Sequence, residues 1–370
     1  MTARSHDTSS DTLSMTCRMP AEWERHEATW MAWPHYKGDW PGKFEPIPWV
    51  YAEIIRNLSR EERVELIVND VASEKSARKI LGRANGLNKN IRFHRWPTNR
   101  VWTRDSGCTF VKCGAGALAR EPEDRNETQA LTWRFNAWAK YSNYRHDEKI
   151  GSLMAKTANA RAIQPVFRKS PVVFEGGSID VNGQGTLLTT EECLLSKVQQ
   201  RNPKMTRSDY EQLFATYLGI KNVIWLASGI VGDDTHGHVD DITRFVAPDT
   251  VVTVVESDPN DPNYEPLREN IRRLRSATDQ NGKPLAIVEL PMPAPVIFEK
   301  RRLPASYANF YIANGVVLVP VYNDPNDRFA LDILADLFPD REVVGIYSGD
   351  LIWGFGAMHC MTQQEPAISN

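Results

Sequence analysis

At 370 residues the chain is long enough to bury a large core in one to three domains. Its 44 basic and 47 acidic side chains leave a formal charge of -3, with no Lys/Arg cluster dense enough for a nucleic-acid face. No apolar run reaches membrane-spanning length, so neither nucleic acid nor membrane is an expected partner.

In chain order, residues 1–15 are rich in Ser, Thr and Asp with no apolar stretch, and they read as a disordered lead rather than a signal peptide. Residues 16–370 read as a single domain, because no Gly/Ser-rich or Pro-rich linker divides them. Tyr51, Ile54, Ile55 and Leu58 fall at helical spacing behind Pro46 and Pro48. Val64 to Val68 reads as a buried strand, 71–84 as a helix, and Ile91 to Trp96 as another strand. Arg120 to Gln129 is a polar stretch expected to be a long loop between strands. Ser208-Asp-Tyr-Glu211 has the form of a capping box ahead of Leu213, Phe214, Tyr217 and Leu218. Val223 to Leu226 and Val251 to Val255 are strands, and Asp258 to Pro262 is a turn-rich loop. Residues 265–276 and 329–338 are helical, and Val316 to Val319 is a buried strand that ends at Pro320. The steady alternation of strands and helices implies an α/β fold.

Four polar clusters lie at the edges of apolar runs. Trp102-Thr-Arg-Asp-Ser-Gly107 contains an Arg-Asp pair, which as an isolated feature is a loop ion pair. Phe174-Glu-Gly-Gly177 puts a carboxylate beside two glycines, either a turn glutamate or a group that faces a ligand. Asp233-Asp-Thr-His-Gly-His-Val-Asp-Asp241 packs two histidines and four carboxylates into one segment. It admits three readings: a solvated loop, a metal pair at His236 and His238, or acid–base work. Were the segment extended, His238 and Asp240 would face the same side. The fourth cluster is Gly354-Phe-Gly-Ala-Met-His-Cys360, where glycine spacing lets backbone approach a ligand and the thiol is either a core hydrophobe or a nucleophile. The five cysteines form no CxxC and an odd, scattered set. That pattern points to a reducing compartment, the cytoplasm, rather than to a disulfide framework. A thiol lined by carboxylates is ill suited to attack a neutral substrate, since negative neighbours raise its pKa, but it suits a cation such as a guanidinium.

Six segments, in order, resemble the agmatine deiminase family, relatives of bacterial peptidyl-arginine deiminase in the guanidine-modifying (pentein) superfamily. They are Trp102-Thr-Arg-Asp-Ser-Gly, Trp133-Arg-Phe-Asn-Ala-Trp138, Glu175-Gly-Gly, Thr235-His-Gly-His-Val-Asp240, Ala305-Ser-Tyr-Ala-Asn-Phe310 and His359-Cys-Met-Thr-Gln-Gln364. The likeness begins at Met19-Pro-Ala-Glu-Trp-Glu-Arg-His and covers nearly the whole chain. It implies a five-bladed, pseudo-symmetric α/β propeller of ββαβ units around a central site. It further implies that Cys360 is the nucleophile, His238 the general acid/base, Asp105 and Asp240 the guanidinium-binding carboxylates, and Glu175 a further acid of the site. Trp102, Asn309 and Gly356 are implied as pocket residues, and Asp234 as the group near the substrate's distal amine.

The implied reaction turns agmatine into N-carbamoylputrescine and ammonia through a thiouronium on Cys360, with no metal and no organic cofactor. The partner is then a small cationic guanidinium compound, and a homo-oligomer is compatible with the sequence. Free arginine and peptidyl-arginine are alternative substrates. A non-enzymatic propeller binding sugars through its eleven tryptophans, and a metallohydrolase built on His236 and His238, are alternatives of other classes. The chain departs from the family at Phe355 and Ala357, where glycine and asparagine are usual, at Cys108 after the Arg-Asp motif, and over Lys43-Phe-Glu-Pro-Ile-Pro48.

Overall fold

The computed structural model describes residues 17–114 and 126–367. The expected disordered lead, 1–15, lies outside the described residues.

Helices form where the sequence places an apolar stripe. Ile47–Glu61 buries Ile47, Tyr51, Ile54, Ile55 and Leu58, with Pro48 in its first turn, where proline loses no helical hydrogen bond. Val71–Arg83 is capped by the Asp70 side chain, which accepts from the Ser73 N–H at 2.7 Å. Tyr264–Ser276 and Asn326–Leu337 complete the expected set. The capping box lies two residues earlier than expected. Thr206 and Asp209 hold each other's backbone N–H, and the helix is Arg207–Leu218. Asp209 takes the reciprocal role because its short carboxylate also reaches back to the cap.

Among the described residues, the main strands make five sheets of one pattern: an antiparallel pair, then a helical crossover to a parallel strand. The first holds Cys17–Arg18, Thr109–Gly114, Asn126–Leu131 and Arg161–Ile163. The second holds Asp180–Val181, Thr186–Thr190 and Asn222–Leu226. The third holds Thr243–Ala247, Thr250–Val255 and Ala286–Pro291. The fourth holds Tyr311–Ile312, Val316–Val321 and Glu342–Tyr347. The last joins the two ends of the chain: Gln363–Pro366 runs antiparallel to His26–Ala32, which is parallel to Arg63–Val68 and then Ile91–Arg95.

Three further expectations are corrected. Asn126 to Gln129 belongs to a strand paired with Thr109–Gly114, not to a loop, and residues 115–125 are outside the described residues. The Val316 strand continues through Pro320 to Val321. Tyr311–Ile312 pairs only with Val317 and Leu318, so the strand is an edge at Pro320 and its missing N–H breaks no ladder. Cys17 and Cys113 are joined in a disulfide, where a reduced, scattered set was expected. The two lie directly opposite in an antiparallel pair, a juxtaposition that their separation of 96 residues hides.

The tryptophans are mostly interior. Trp30 and Trp40 are wholly buried, and Trp49 is the exposed one among them. No helix among the described residues is long and apolar enough to cross a membrane.

Candidate functional site

The site is assembled from segments that each run into a strand of a sheet's antiparallel pair. A single helical turn, Thr103–Ser106, precedes Thr109–Gly114 and presents Asp105. Its Thr103 hydroxyl donates to the Met361 carbonyl at 2.6 Å, and the Arg104 N–H donates to the Cys360 carbonyl at 3.2 Å, which fixes this turn to the C-terminal segment. Glu175 and Gly177 precede Asp180–Val181, His238 and Asp240 precede Thr243–Ala247, Asn309 precedes Tyr311–Ile312, and Cys360 precedes Gln363–Pro366. The segment from His238 is not extended: Val239–Asp241 is a tight 3-10 turn, and that turn, rather than strand alternation, brings His238 and Asp240 to one site.

A cavity of ≈ 170 Å³ opens between these segments, with Trp102, Asp105, Trp138, Asp234, Phe355 and Cys360 in its wall. Cys360 is buried, and its Sγ donates to Asp240 Oδ2 at 3.7 Å and accepts from Asn309 Nδ2 at 3.1 Å. Burial, then the charges of Asp240, Asp241 and Asp105, push this thiol well above its ordinary range. Asn309 also donates to Asp241 Oδ1 at 2.9 Å, and its own oxygen accepts from the His359 N–H at 3.1 Å. Asp241 rises far above the usual carboxylate range through burial and the neighbouring Asp240 charge.

Asp105 accepts from Trp138 Nε1 at 2.8 Å and from the Gly177 N–H at 3.0 Å. Burial pushes its carboxyl up to about 6; His238 opposes that rise, and Asp240 and Glu175 add to it. Asp240 Oδ2 sits 2.6 Å from His359 Nδ1. Burial would raise Asp240, but the His359 hydrogen bond and charge, then His238 and Arg244, bring it below its ordinary value.

His238 is completely buried beside these carboxylates rather than in the cavity wall. Its Nδ1 is 3.9 Å from Asp105 and 4.0 Å from Asp240, and its Nε2 is 3.6 Å from Glu175. Burial alone would lower its pKa, yet Asp105, Cys193 and Glu175 raise it well above the ordinary imidazole value. These three neighbours favour the protonated ring. Gly177 explains the crowding: a Cβ there would lie 2.5 Å from His238 Nδ1 and 3.0 Å from both Asp105 and Asp240. Gly356 has the same role beside the thiol, where a Cβ would meet Trp102 at 2.7 Å and Cys360 Cβ at 3.1 Å.

The expected residues Cys360, His238, Glu175, Asp105, Asp240, Trp102, Asn309 and Gly356 thus come together, and Asp234 lies in the cavity wall. His236 does not join them. It contacts Ser196 at 3.1 Å and Glu192 at 3.5 Å, so the His-x-His pair is split between two surroundings. Two triads, Glu175–Cys193–His238 and Asp240–Asp241–Cys360, have ligand atoms within 4.8 Å of one another. In the first, Glu175 is already paired with the Arg201 guanidinium, whose charge opposes a further cation.

Sequence reasoning missed several contributors. Arg201 Nε donates to both oxygens of Glu175, at 3.1 and 3.2 Å, and keeps that buried carboxylate ionised. No local signal marks Arg201. Glu22 accepts from Arg104 at 3.0 Å and Arg244 at 2.9 Å and contacts His359 at 2.8 Å, anchoring a buried charge network behind Asp240. Both Glu22 and His359 lie inside segments that carried the family resemblance, which is the signal that could have found them.

Comparison with known proteins follows the same outline. Residues 18–366 match the model of the Porphyromonas-type peptidyl-arginine deiminase family. The agmatine deiminase of Pseudomonas aeruginosa is 33% identical over 374 residues, covering 95% of each chain. The solved agmatine deiminase of Enterococcus faecalis superposes with a TM-score of 0.83 at 31% identity, covering 95% of this chain and 96% of that one. A C. jejuni agmatine deiminase solved with substrate bound gives 0.83 at 28% identity, covering 96% of this chain and 98% of that one.

Proposed function

We propose that this chain, which belongs to the Porphyromonas-type peptidyl-arginine deiminase family, is an agmatine deiminase, a hydrolase that converts the guanidinium of agmatine to a ureido group with release of ammonia. The observation that carries the reading is a buried thiol, Cys360, in one small cavity with Asp105 and Asp234 in its wall and Asp240 against its sulfur.

The reaction runs in two halves. Asp105 and Asp240 hold the planar cation, and its charge offsets the carboxylates that keep Cys360 protonated. The thiol then ionises towards Asp240, its hydrogen-bond acceptor, and the sulfur bonds to the central guanidine carbon. The imidazolium of His238 gives its proton to the departing nitrogen, the C–N bond breaks, and ammonia leaves a thiouronium on sulfur. Water adds to that carbon and gives one proton to His238; collapse breaks the C–S bond, Asp240 returns its proton to the sulfur, and the remaining hydroxyl proton leaves with ammonia as ammonium, giving N-carbamoylputrescine and free Cys360. Glu175, fixed by Arg201, orients His238 and stabilises its charged form. Fixing a planar cation in line with sulfur supplies much of the acceleration.

The five sheets of like pattern, each preceded by a segment that feeds the site, support a five-bladed propeller with the site on its axis. The pairing of the last strand with His26–Ala32 supports a ring closed by the two ends of the chain. The proposed location is the cytoplasm. The Cys17–Cys113 bond argues against it, and thiol titration of protein isolated without reductant decides between them.

One observation favours a second substrate. Arg301 lines the cavity and stacks on Phe355 at 4.7 Å, with no carboxylate partner among the described residues. A guanidinium there suits the carboxylate of free arginine or an arginyl peptide. The test is ammonia release from agmatine, arginine and a blocked arginine peptide by the native protein and by Cys360→Ala, with chelator present. Cysteine-dependent release that is fastest with agmatine is expected. Release that survives Cys360→Ala, or that chelation abolishes, overturns the reading.

A further inference from the structure

We propose that Lys140 is a specificity-determining residue of this site: its ammonium caps Asp234 in the free protein, gives way to the distal ammonium of the substrate, and sets how strongly the site prefers an amine there over a carboxylate. The proposal rests on the deiminase reading above.

Asp234 lines the cavity that contains Cys360, and both of its oxygens are engaged. Lys140 Nζ donates to Oδ1 at 2.5 Å, and the Tyr141 hydroxyl donates to Oδ2 at 2.6 Å. Tyr141 is part of the cavity wall, whereas Lys140 reaches Asp234 from outside it with its side chain 38% exposed. The two donors sit on one short loop that also holds the far end of the cavity, since Trp138 of the same loop donates to Asp105. The loop is rigidly specified. Ala137, Trp138 and Ala139 are three successive left-handed residues, at φ 51, 59 and 54. That conformation is unfavourable for each of them and persists only when surroundings impose it. Gln199 supplies part of that constraint, donating to the carbonyls of Trp138 and Asp234 at 3.2 and 3.1 Å.

The chemistry follows from the geometry. A primary ammonium on a four-carbon stem is what Lys140 offers Asp234, and it is also what the far end of an aminobutyl guanidine offers. The two compete for one carboxylate. An exposed ion pair is weak, so Lys140 yields, but its charge stays within Coulomb range of the incoming ammonium and opposes it. A substrate ending in a carboxylate meets the opposite balance: Asp234 repels it and Lys140 attracts it. Lys140 therefore sets the ratio between the two kinds of substrate while touching neither the guanidine carbon nor the thiol.

The experiment compares the wild type with Lys140→Met and Lys140→Arg, reading KM for agmatine and the inhibition constant of arginine against agmatine at two ionic strengths. Lys140→Met is expected to lower KM for agmatine about two- to fivefold with kcat little changed, the size of one exposed ion pair. It should also weaken inhibition by arginine, while Lys140→Arg keeps the wild-type ratio of the two constants. An unchanged ratio in Lys140→Met overturns the proposal, and so does the same shift in Lys140→Arg, which would mark a packing effect. Failure of the wild type to release ammonia from agmatine would instead remove the deiminase reading, a result distinct from turnover with an unchanged ratio.

Discussion

Asp105 is a carboxylate of the site whose charge changes near neutral pH. Its carboxyl is pushed up to about 6, first by burial, with Asp240 and Glu175 adding to the rise against His238. A raised carboxyl loses its charge as pH falls through that value, and with the charge goes the attraction for a guanidinium. The expected profile of kcat/KM for agmatine is therefore flat above about pH 7 and falls roughly tenfold per pH unit below about 6. Asp105→Asn should give a low, flat line over the same range. A wild-type profile with no inflection above about pH 5 would remove Asp105 from substrate binding. Cys360 titrates in the opposite regime, because burial and three carboxylates hold its proton on. Alkylation of the free protein by neutral iodoacetamide should accelerate only as pH rises past about 8.5, the ordinary thiol value. A midpoint below neutral would sink activation by the substrate's charge. Neither property is written in a residue type. The chain names a cysteine and several acids, but only their placement, with ligand atoms of Asp240, Asp241 and Cys360 within 4.8 Å of one another, sets which of them is charged.

At the scale of elements, glycines in the loops decide the site, while glycines in helices only weaken them. Gly177 lets a backbone turn pass against His238, Asp105 and Asp240, and a Cβ would collide with the imidazole at 2.5 Å. All three side chains are buried, so none can swing away into solvent. Gly177→Ala is expected to reduce kcat/KM by more than about 100-fold, since displacements under 1 Å already spoil such alignments. Gly82→Ala is the control. It lies within the helix Val71–Arg83 with nothing near its Cβ position, so it should stabilise the protein by up to about 1 kcal/mol and leave kinetics alone. Equal losses from both would show a general fragility rather than a crowded site. The elements themselves were largely legible: Tyr51, Ile54, Ile55 and Leu58 announce their helix, and Val64 to Val68 its strand. Details decided by partners were not. Pro320 stays in its strand because its neighbour is two residues short of it, and the capping box forms at Thr206 because Asp209 closes it.

Across the whole molecule, Glu22 ties distant parts of the chain together. It pairs with Arg104 ahead of the first sheet, Arg244 in the third, the Ile312 N–H in the fourth and His359 beside Cys360. The residues that the resemblance singled out lie in segments that each come just before a strand. Links such as Glu22–Arg244 and Glu175–Arg201 stayed hidden, since they join residues that share no period and no motif. Glu22 is buried, and burial alone would raise its carboxyl; Arg244, His359 and Arg104 outweigh it and hold the group well below the carboxylate range. The sign of the linkage follows. In the unfolded chain Glu22 titrates near 4.5, and in the folded protein it keeps its charge to lower pH. Its contribution to stability is present above about pH 4.5 and is lost as pH falls through the depressed folded value. Glu22→Gln should lower unfolding stability at neutral pH by about 3–5 kcal/mol, because Arg104 and Arg244 then stay buried with less counter-charge. It should also flatten the fall in stability below about pH 4.5, which denaturant unfolding at a series of pH values would measure. A variant as stable as the wild type at neutral pH, with the same acid slope, would mean that Asp180 alone neutralises Arg244 and that the parts of the chain are held together without Glu22.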